Sequence, residues 1–307
     1  MGRPLGAIKL STAVLFLALW PCSLLLAQDY EIRLHRPETV GQKYHLSATG
    51  RSARTQVVKS GDKILKNDAA KFSVECDCVV TVLGVDDKGK PSKLSLQIEK
   101  LTRTDETGVK ELVSKGSVVT VMMKEGAEVS ETAGHRLPLP AQEAITVVLP
   151  LDPYGPTDDE LFGVSGKKKP GDHWDANADL MAKDLLRRGA MANKEDLSGT
   201  VTFERIVHVG KTECLQVGGA VDCTKYIPSV PKDVRVEKGF LKIEFSEKLP
   251  VAAPLPALEV TQSANIGYTM KGRPDPAGDE YTFDVGAALT TSARVTDVQE
   301  AAAAAPK

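Results

Sequence analysis

The chain has 307 residues, 42% of them hydrophobic, 26% charged and only 5% aromatic, with 39 Lys and Arg against 41 Asp and Glu. That is enough for one large domain or two small ones. The slightly acidic balance, with no basic block, excludes nucleic acid as the main partner, and ordinary Gly and Pro usage excludes collagen or wholesale disorder.

Arg3 and Lys9 form a short positive region, and no charged residue follows from Leu10 to Ala27. This is the pattern of an export signal over residues 1–27, cleaved after the small residue Ala27. An uncleaved anchor is disfavoured because Pro21 interrupts a stretch that barely reaches spanning length. Pro21 also occupies the place before Cys22 where lipidation needs a small residue. Removing the signal takes two basic and no acidic residues, leaving a net charge of −4 on the mature chain. The expected location is outside the cytoplasm, periplasmic or extracellular.

Period-two alternation dominates the chain beyond the signal and predicts strands with one buried and one wet face. From Phe72 through Val74, Cys76, Cys78, Val80 and Val82 every even position is apolar, opposite Ser73, Glu75 and Asp77. After the turn-rich Asp86–Pro91, Leu94, Leu96 and Ile98 alternate with Ser95, Gln97 and Glu99, which predicts a long-armed hairpin. Pro140–Leu149 reads as a short helix. Residues 150–170 are rich in Pro and Gly and read as a linker. Within it, Thr157-Asp158-Asp159-Glu160 reads as a capped single turn and Lys167-Lys168-Lys169 as a solvated charge run.

A helix is predicted over Asp175–Arg188, with Leu180, Met181 and Leu185 on one side and Gly189 as its stop. Near the end, Ile266, Tyr268 and Met270 share a strand face, and Tyr281, Phe283, Val285, Ala287 and Leu289 share another. Arms of about eleven residues span about 35 Å, so the sheet must twist and curve. Residues 299–307, which include Ala301–Ala305, are low in complexity and expected to be disordered.

Gly41-Gln42-Lys43-Tyr44 and Gly171-Asp172-His173-Trp174 open similar stretches, followed by strand starts at Phe72 and Val201, 28 and 27 residues after the aromatic. This predicts two related β units, at 28–149 and 171–298, with Tyr44 and Trp174 as core anchors. The expected fold is mainly β: a long, curved, half-barrel-like antiparallel sheet with one or two covering helices.

The export signal, the Leu34-His35-Arg36-Pro37…Val40-Gly41-Gln42-Lys43-Tyr44 opening and the Gly171-Asp172-His173-Trp174 restart resemble a family of uncharacterised exported bacterial proteins. The resemblance covers most of the mature chain and implies no activity. In architecture alone, long curved strands under a helix are similar to the half-barrel carriers that move lipoproteins and lipids through the periplasm, and fold does not fix function.

Cys76, Cys78, Cys214 and Cys223 remain after processing and are candidates for disulfides, with three possible connectivities. Cys76 and Cys78 lie two apart on one strand face, an awkward geometry for bonding each other. A hairpin turn at Gly218-Gly219 would bring Cys214 and Cys223 to about 4.5 Å between Cα atoms. A straight strand would hold them about 30 Å apart. The straight strand separates apolar from polar residues more cleanly. No His lies at zinc-ligand spacing from Cys76-x-Cys78, and no metal is expected.

No His-Glu-x-x-His, Gly-x-Ser-x-Gly or phosphate-cradling Gly-rich loop is present. Asp86-Asp87 and Asp158-Asp159-Glu160 lack the ligand spacing of a calcium loop. His173, between Asp172 and Trp174, is the one local trio with acid–base potential and reads as structural. No catalytic residue and no cofactor are therefore expected. The leading functional expectation is binding of a lipid or other hydrophobic molecule on a concave face lined by Phe72, Val74, Val80, Val82, Ile266, Tyr268 and Phe283. The alternative is a structural or protein-interaction role in the cell envelope.

Overall fold

A computed structural model describes residues 28–252, 255–273 and 278–299; the expected export signal and Ala301–Ala305 lie outside the described residues. In chain order come β1 (Tyr30–Glu31), β2 (Lys43–Ser60), β3 (Lys63–Val85), β4 (Pro91–Asp105), β5 (Gly108–Glu111), β6 (Val118–Lys124), β7 (Ala127–Thr132), β8 (His135–Arg136) and α1 (Leu139–Val148). Then come α2 (Asp158–Leu161), β9 (Lys167–Lys168), β10 (His173–Asp175), α3 (Ala178–Arg187) and β11 (Ala190–Met191). The remaining strands are β12 (Leu197–Val209), β13 (Thr212–Cys223), β14 (Ile227–Pro228), β15 (Val234–Pro250), β16 (Glu259–Gly272) and β17 (Tyr281–Gln299).

Thirteen strands form one open, curved antiparallel sheet in the order β10-β12-β13-β15-β16-β17-β2-β3-β4-β6-β7-β8, with β5 on β4. The mainly β architecture with few helices is thus as the alternation predicts. Its arms are longer than the alternation alone marks: β3 has 23 residues and β17 has 19, against about five or six in an ordinary strand. β17 pairs with β2 from Tyr281↔Ser60 to Gln299↔Lys43, so the middle of the sheet joins the end of the chain to its beginning.

The two openings have one geometry. Gly41 and Gly171 both take φ 92°, a conformation that glycine adopts without steric cost. The Gly41 amide donates to Val82 O and the Val82 amide to Gln42 O; the Gly171 amide donates to Phe203 O and the Phe203 amide to Asp172 O. Tyr44 then faces Val80 and Trp174 faces Val201 at the same offset.

Residues paired across antiparallel strands share a face, and one face of the sheet, here called inner, carries the cores. In the first unit Leu46, Val74, Cys78, Val80, Leu96 and Ile98 pack beneath Ala141, Ala144, Ile145 and Val148 of α1. The β-branched run Ile145–Val148 is weak for a helix, so this burial is what holds α1. In the second unit, Val201, Phe203, Leu215, Val217, Phe245 and Leu249 pack beneath Ile32 and Leu34. Met181 of α3 covers Leu197, Val221, Cys223 and Leu241.

The helix expected from Asp175 begins at Ala178, because Asp175 belongs to β10 and the Asn177 side chain caps the first turn by accepting from the Leu180 amide. It ends at Gly189, φ 79°. α2 is the expected capped turn: Thr157 Oγ1 accepts from the Glu160 amide and Glu160 returns the bond to the Thr157 amide. Lys167 and Lys169 are exposed, and Lys167 and Lys168 also pair with Glu31 and Tyr30 in a separate two-stranded ladder. β13 runs straight through Gly218 and Gly219. At Gly219 a Cβ would lie 2.5 Å from the Phe245 ring, so the glycine is a seat for an aromatic side chain and not a turn.

Candidate functional site

From the core beneath α3 the inner face continues toward the far ends of β16, β17 and β2. Three rows cross β15, β16, β17 and β2: Leu241–Ile266–Ala287–Arg54, Gly239–Tyr268–Val285–Gln56 and Val236–Met270–Phe283–Val58. Met270, Phe283, Val285 and Val58 are half-buried in spite of their position on the inner face. Leu241 and Ile266 belong to the core beneath α3 and the Tyr226 backbone lies over Gly239, so the less covered apolar positions are Tyr268, Val285, Met270, Phe283 and Val58.

The seven residues expected to line a concave face all lie on the inner face but serve two purposes. Val74, Val80 and Val82 are at most 1% exposed and sealed among the side chains beneath α1, so they build core and line no cavity. Phe72 lies at the rim of that core, with the Arg103 guanidinium 3.8 Å from its ring centroid. Ile266 packs against the core beneath α3, while Tyr268 and Phe283 are half-buried farther along the same face. Of the seven, Val74, Val80, Val82 and Ile266 thus lie in or against packed cores, and Phe72, Tyr268 and Phe283 are half-buried.

The outer face of the same strands is notched where Gly267 and Gly286 pair. A shallow groove of about 560 Å³ lies at these strands, lined by Phe240, Gly267, Gly286 and Asp284 and also by Ile266, Tyr268 and Val285. Lys59 and Thr269 both donate to Asp284 at 2.8 and 2.7 Å and hold its carboxyl below the ordinary range.

Cys76, Cys78, Cys214 and Cys223 are buried free thiols. Cys76 and Cys78 have sulfurs 3.9 Å apart on β3, and the side-chain contact and burial push the Cys78 thiol up. Cys214 and Cys223 lie at opposite ends of β13, facing Val207 and Leu197. Among the described residues no group of three or more His, Cys, Asp or Glu is placed to hold a metal ion. His173 is exposed on β10 and pairs in register with Thr202.

One cluster of charge escaped the sequence reading. Residues 29–37 cross the second unit's core as an extended strap, and ionisable groups gather where it passes α2 and β15. Asp159 Oδ1 accepts from the Leu34 and His35 amides at 2.6 and 3.2 Å, and Arg36 donates to Pro250 O at 2.9 Å. Glu247, on the inner face between Phe245 and Leu249, has no hydrogen bond among the described residues. Desolvation, reinforced by the charge of Asp158 and opposed by Arg36, pushes its carboxyl up to about 8. Asp158 is likewise raised by desolvation, and the Arg36 guanidinium is lowered by it. Farther along the strap, burial lifts Glu38 to about 7; Tyr44 donates to Oε1 at 3.4 Å, and buried Oε2 has no partner. The missed signal was an acid within an apolar alternation, Phe245-x-Glu247-x-Leu249.

No family model matches the chain and no curated protein matches it. Among solved structures, one of lipovitellin described as showing lipid–protein interactions aligns with 88% of this chain and 26% of its own, at 9% identity and a TM-score of 0.35. The chain therefore spans about a quarter of the length of that relative. An outer membrane channel from Pseudomonas putida F1 aligns with 85% of this chain and 97% of its own, at 9% identity and a TM-score of 0.18. Scores this low establish no residue correspondence. No helix among the described residues is long and apolar enough to cross a membrane.

Proposed function

We propose that the chain is an exported, non-enzymatic binding protein that takes a lipid or other hydrophobic molecule on its inner face, acting in the periplasm or outside the cell. The observation that carries this is the run of half-buried apolar side chains Tyr268, Met270, Phe283 and Val285 on adjacent strands of the inner face. Contiguous exposed apolar patches mark binding surfaces more often than isolated apolar residues do. The matching openings at Gly41 and Gly171 support two related β units, 28–149 and 171–298, meeting at the β17–β2 seam. Native mass spectrometry of the protein purified from its own envelope tests the reading. A reproducible lipid-sized adduct is expected, and a bare mass across preparations counts against it.

A second reading, an interaction protein of the envelope, is favoured by one edge. Lys63–Lys71 of β3 pair with β2 alone, since β4 joins only from Ser73, and all nine residues are exposed. Such an edge offers backbone hydrogen bonds to a partner strand. Crosslinking in envelope fractions should then capture one recurrent partner through this edge.

A further inference from the structure

The cores of the two units are covered differently. α1 seals the first with a helix on the same inner face. The trough of the second, formed by Phe203, Leu215, Val217, Phe245 and Leu249, is covered by an extended segment that precedes β2, with Phe162 against Phe245 at one end, ring centroids 4.5 Å apart. In that segment Ile32 and Leu34 are 2% and 4% exposed, while Glu31 and Arg33 between and beside them point to solvent. Tyr30 completes the series by meeting Phe203 edge-on, ring centroids 5.8 Å apart. Apolar groups at every second residue, spanning about 13 Å from Tyr30 to Leu34, sit in the trough as a linear ligand would.

The attachment of this segment is sparse. Its strand β1 pairs with β9 and not with the large sheet. Beyond Glu31 it is held by the two amides on Asp159, by Arg36 on Pro250 O, and by His35 Nε2 2.7 Å from Lys88 O. Beneath it lies Glu247, faced by Asp158 and Asp159 from α2 and by Arg36 from the strap itself. A carboxyl without a hydrogen bond favours the open arrangement, in which water reaches it.

We propose that residues 29–37 are a displaceable strap, and that the trough beneath takes an extended acyl chain in place of Ile32 and Leu34. The proposal rests on the reading that the protein binds a hydrophobic ligand, and it names a second site, separate from the run at Tyr268 and Phe283. The hydrocarbon lining supplies the affinity, and its present occupant, an extended segment with an apolar group at every second residue, matches a single extended chain. The strap then competes in cis, lowering apparent affinity by the fraction of molecules in which the trough is open.

Two measurements test this. Hydrogen exchange on the intact protein should show the Leu34 and His35 amides exchanging through local opening, far faster than amides of the β12–β13 ladder. Exchange of both sets at the same rate overturns the strap regardless of any ligand. Photolabelling with a diazirine-bearing palmitic acid should mark peptides containing Leu215–Val217 and Phe245–Leu249. The double substitution Ile32→Ser and Leu34→Ser should raise that labelling by about tenfold or more, because each lost side chain removes over a kcal/mol of strap burial. If the double variant does not fold, Asp159→Asn, which weakens the acceptor of the two strap amides, should raise labelling in the same direction. Labelling confined to Ile266–Val285 and indifferent to the strap overturns this proposal and leaves the binding function standing. Labelling at neither place overturns both.

Discussion

Replacing Glu247 by Gln removes the charge that forms under the strap while keeping the side chain's shape. The folded carboxyl titrates at about 8, above its ordinary value near 4.5, so the folded state holds the proton more tightly than the unfolded chain. The stability tied to this proton is fully present below pH 4.5 and is lost as pH rises toward 8. At about 1.36 kcal/mol per pH unit, the 2.5 units between 4.5 and 7 amount to at most about 3.4 kcal/mol. Glu247 retains some contact with water, and solvent screening reduces this to about 1–2 kcal/mol. For a domain of this size that is a Tm shift of about 2–8 °C. Thermal unfolding followed by circular dichroism at pH 4.5 and pH 8 reads it directly. Glu247→Gln should match the wild type within a degree or two at the lower pH and exceed it at the higher. An equal difference at both pH values, or none at pH 8, would refute an unpaired carboxyl beneath the strap.

Other expectations come from packing. Gly50→Val should cost about 1–3 kcal/mol by overpacking in chemical denaturation, because even a Cβ there would stand 2.3 Å from Val147 Cγ1 on α1. Tyr268→Ser with Phe283→Ser should cost about 2–3 kcal/mol of stability, since both side chains are half-buried, leave the protein folded, and abolish the lipid adduct in native mass spectrometry. An adduct that survives both changes places the ligand elsewhere. Cys76, Cys78, Cys214 and Cys223 should be silent to a thiol reagent when the protein is folded and react in full when it is unfolded. A mass lower by two hydrogens per bonded pair would contradict this.

How much was legible in sequence varied with the physics of each segment. Strands such as Phe72–Val82 announce themselves because burial on one face leaves a period of two, and α3 because Leu180, Met181 and Leu185 mark its core side and Gly189 its stop, while the Asn177 cap went unread and the start was placed too early. The lower half of β3, Lys63–Lys71, carries no such mark: it is exposed throughout and held by its ladder to β2, as the return arm of a hairpin. Val80 and Phe283 have equal alternation signals, yet one is sealed and the other half-buried, because only the placement of α1 distinguishes them. The strap was hidden for a related reason. Ile32 and Leu34 find their partners near positions 215 and 249, a distance in sequence that no local pattern reports.

The seam between β17 and β2 has a consequence for how the protein is made. One of the two longest ladders of the sheet cannot form until the last described strand has left the ribosome, and for an exported chain until it has crossed the membrane. Contacts separated by more than two hundred residues, such as Val58 with Phe283, make closure slow. Until then one edge of β2 stands unpaired, which holds the chain in a form suited to threading and exposes it to wrong partners. Folding is thus timed by translation of the C-terminal strand, and a chain truncated before Tyr281 should aggregate and not settle into a smaller version of the same sheet.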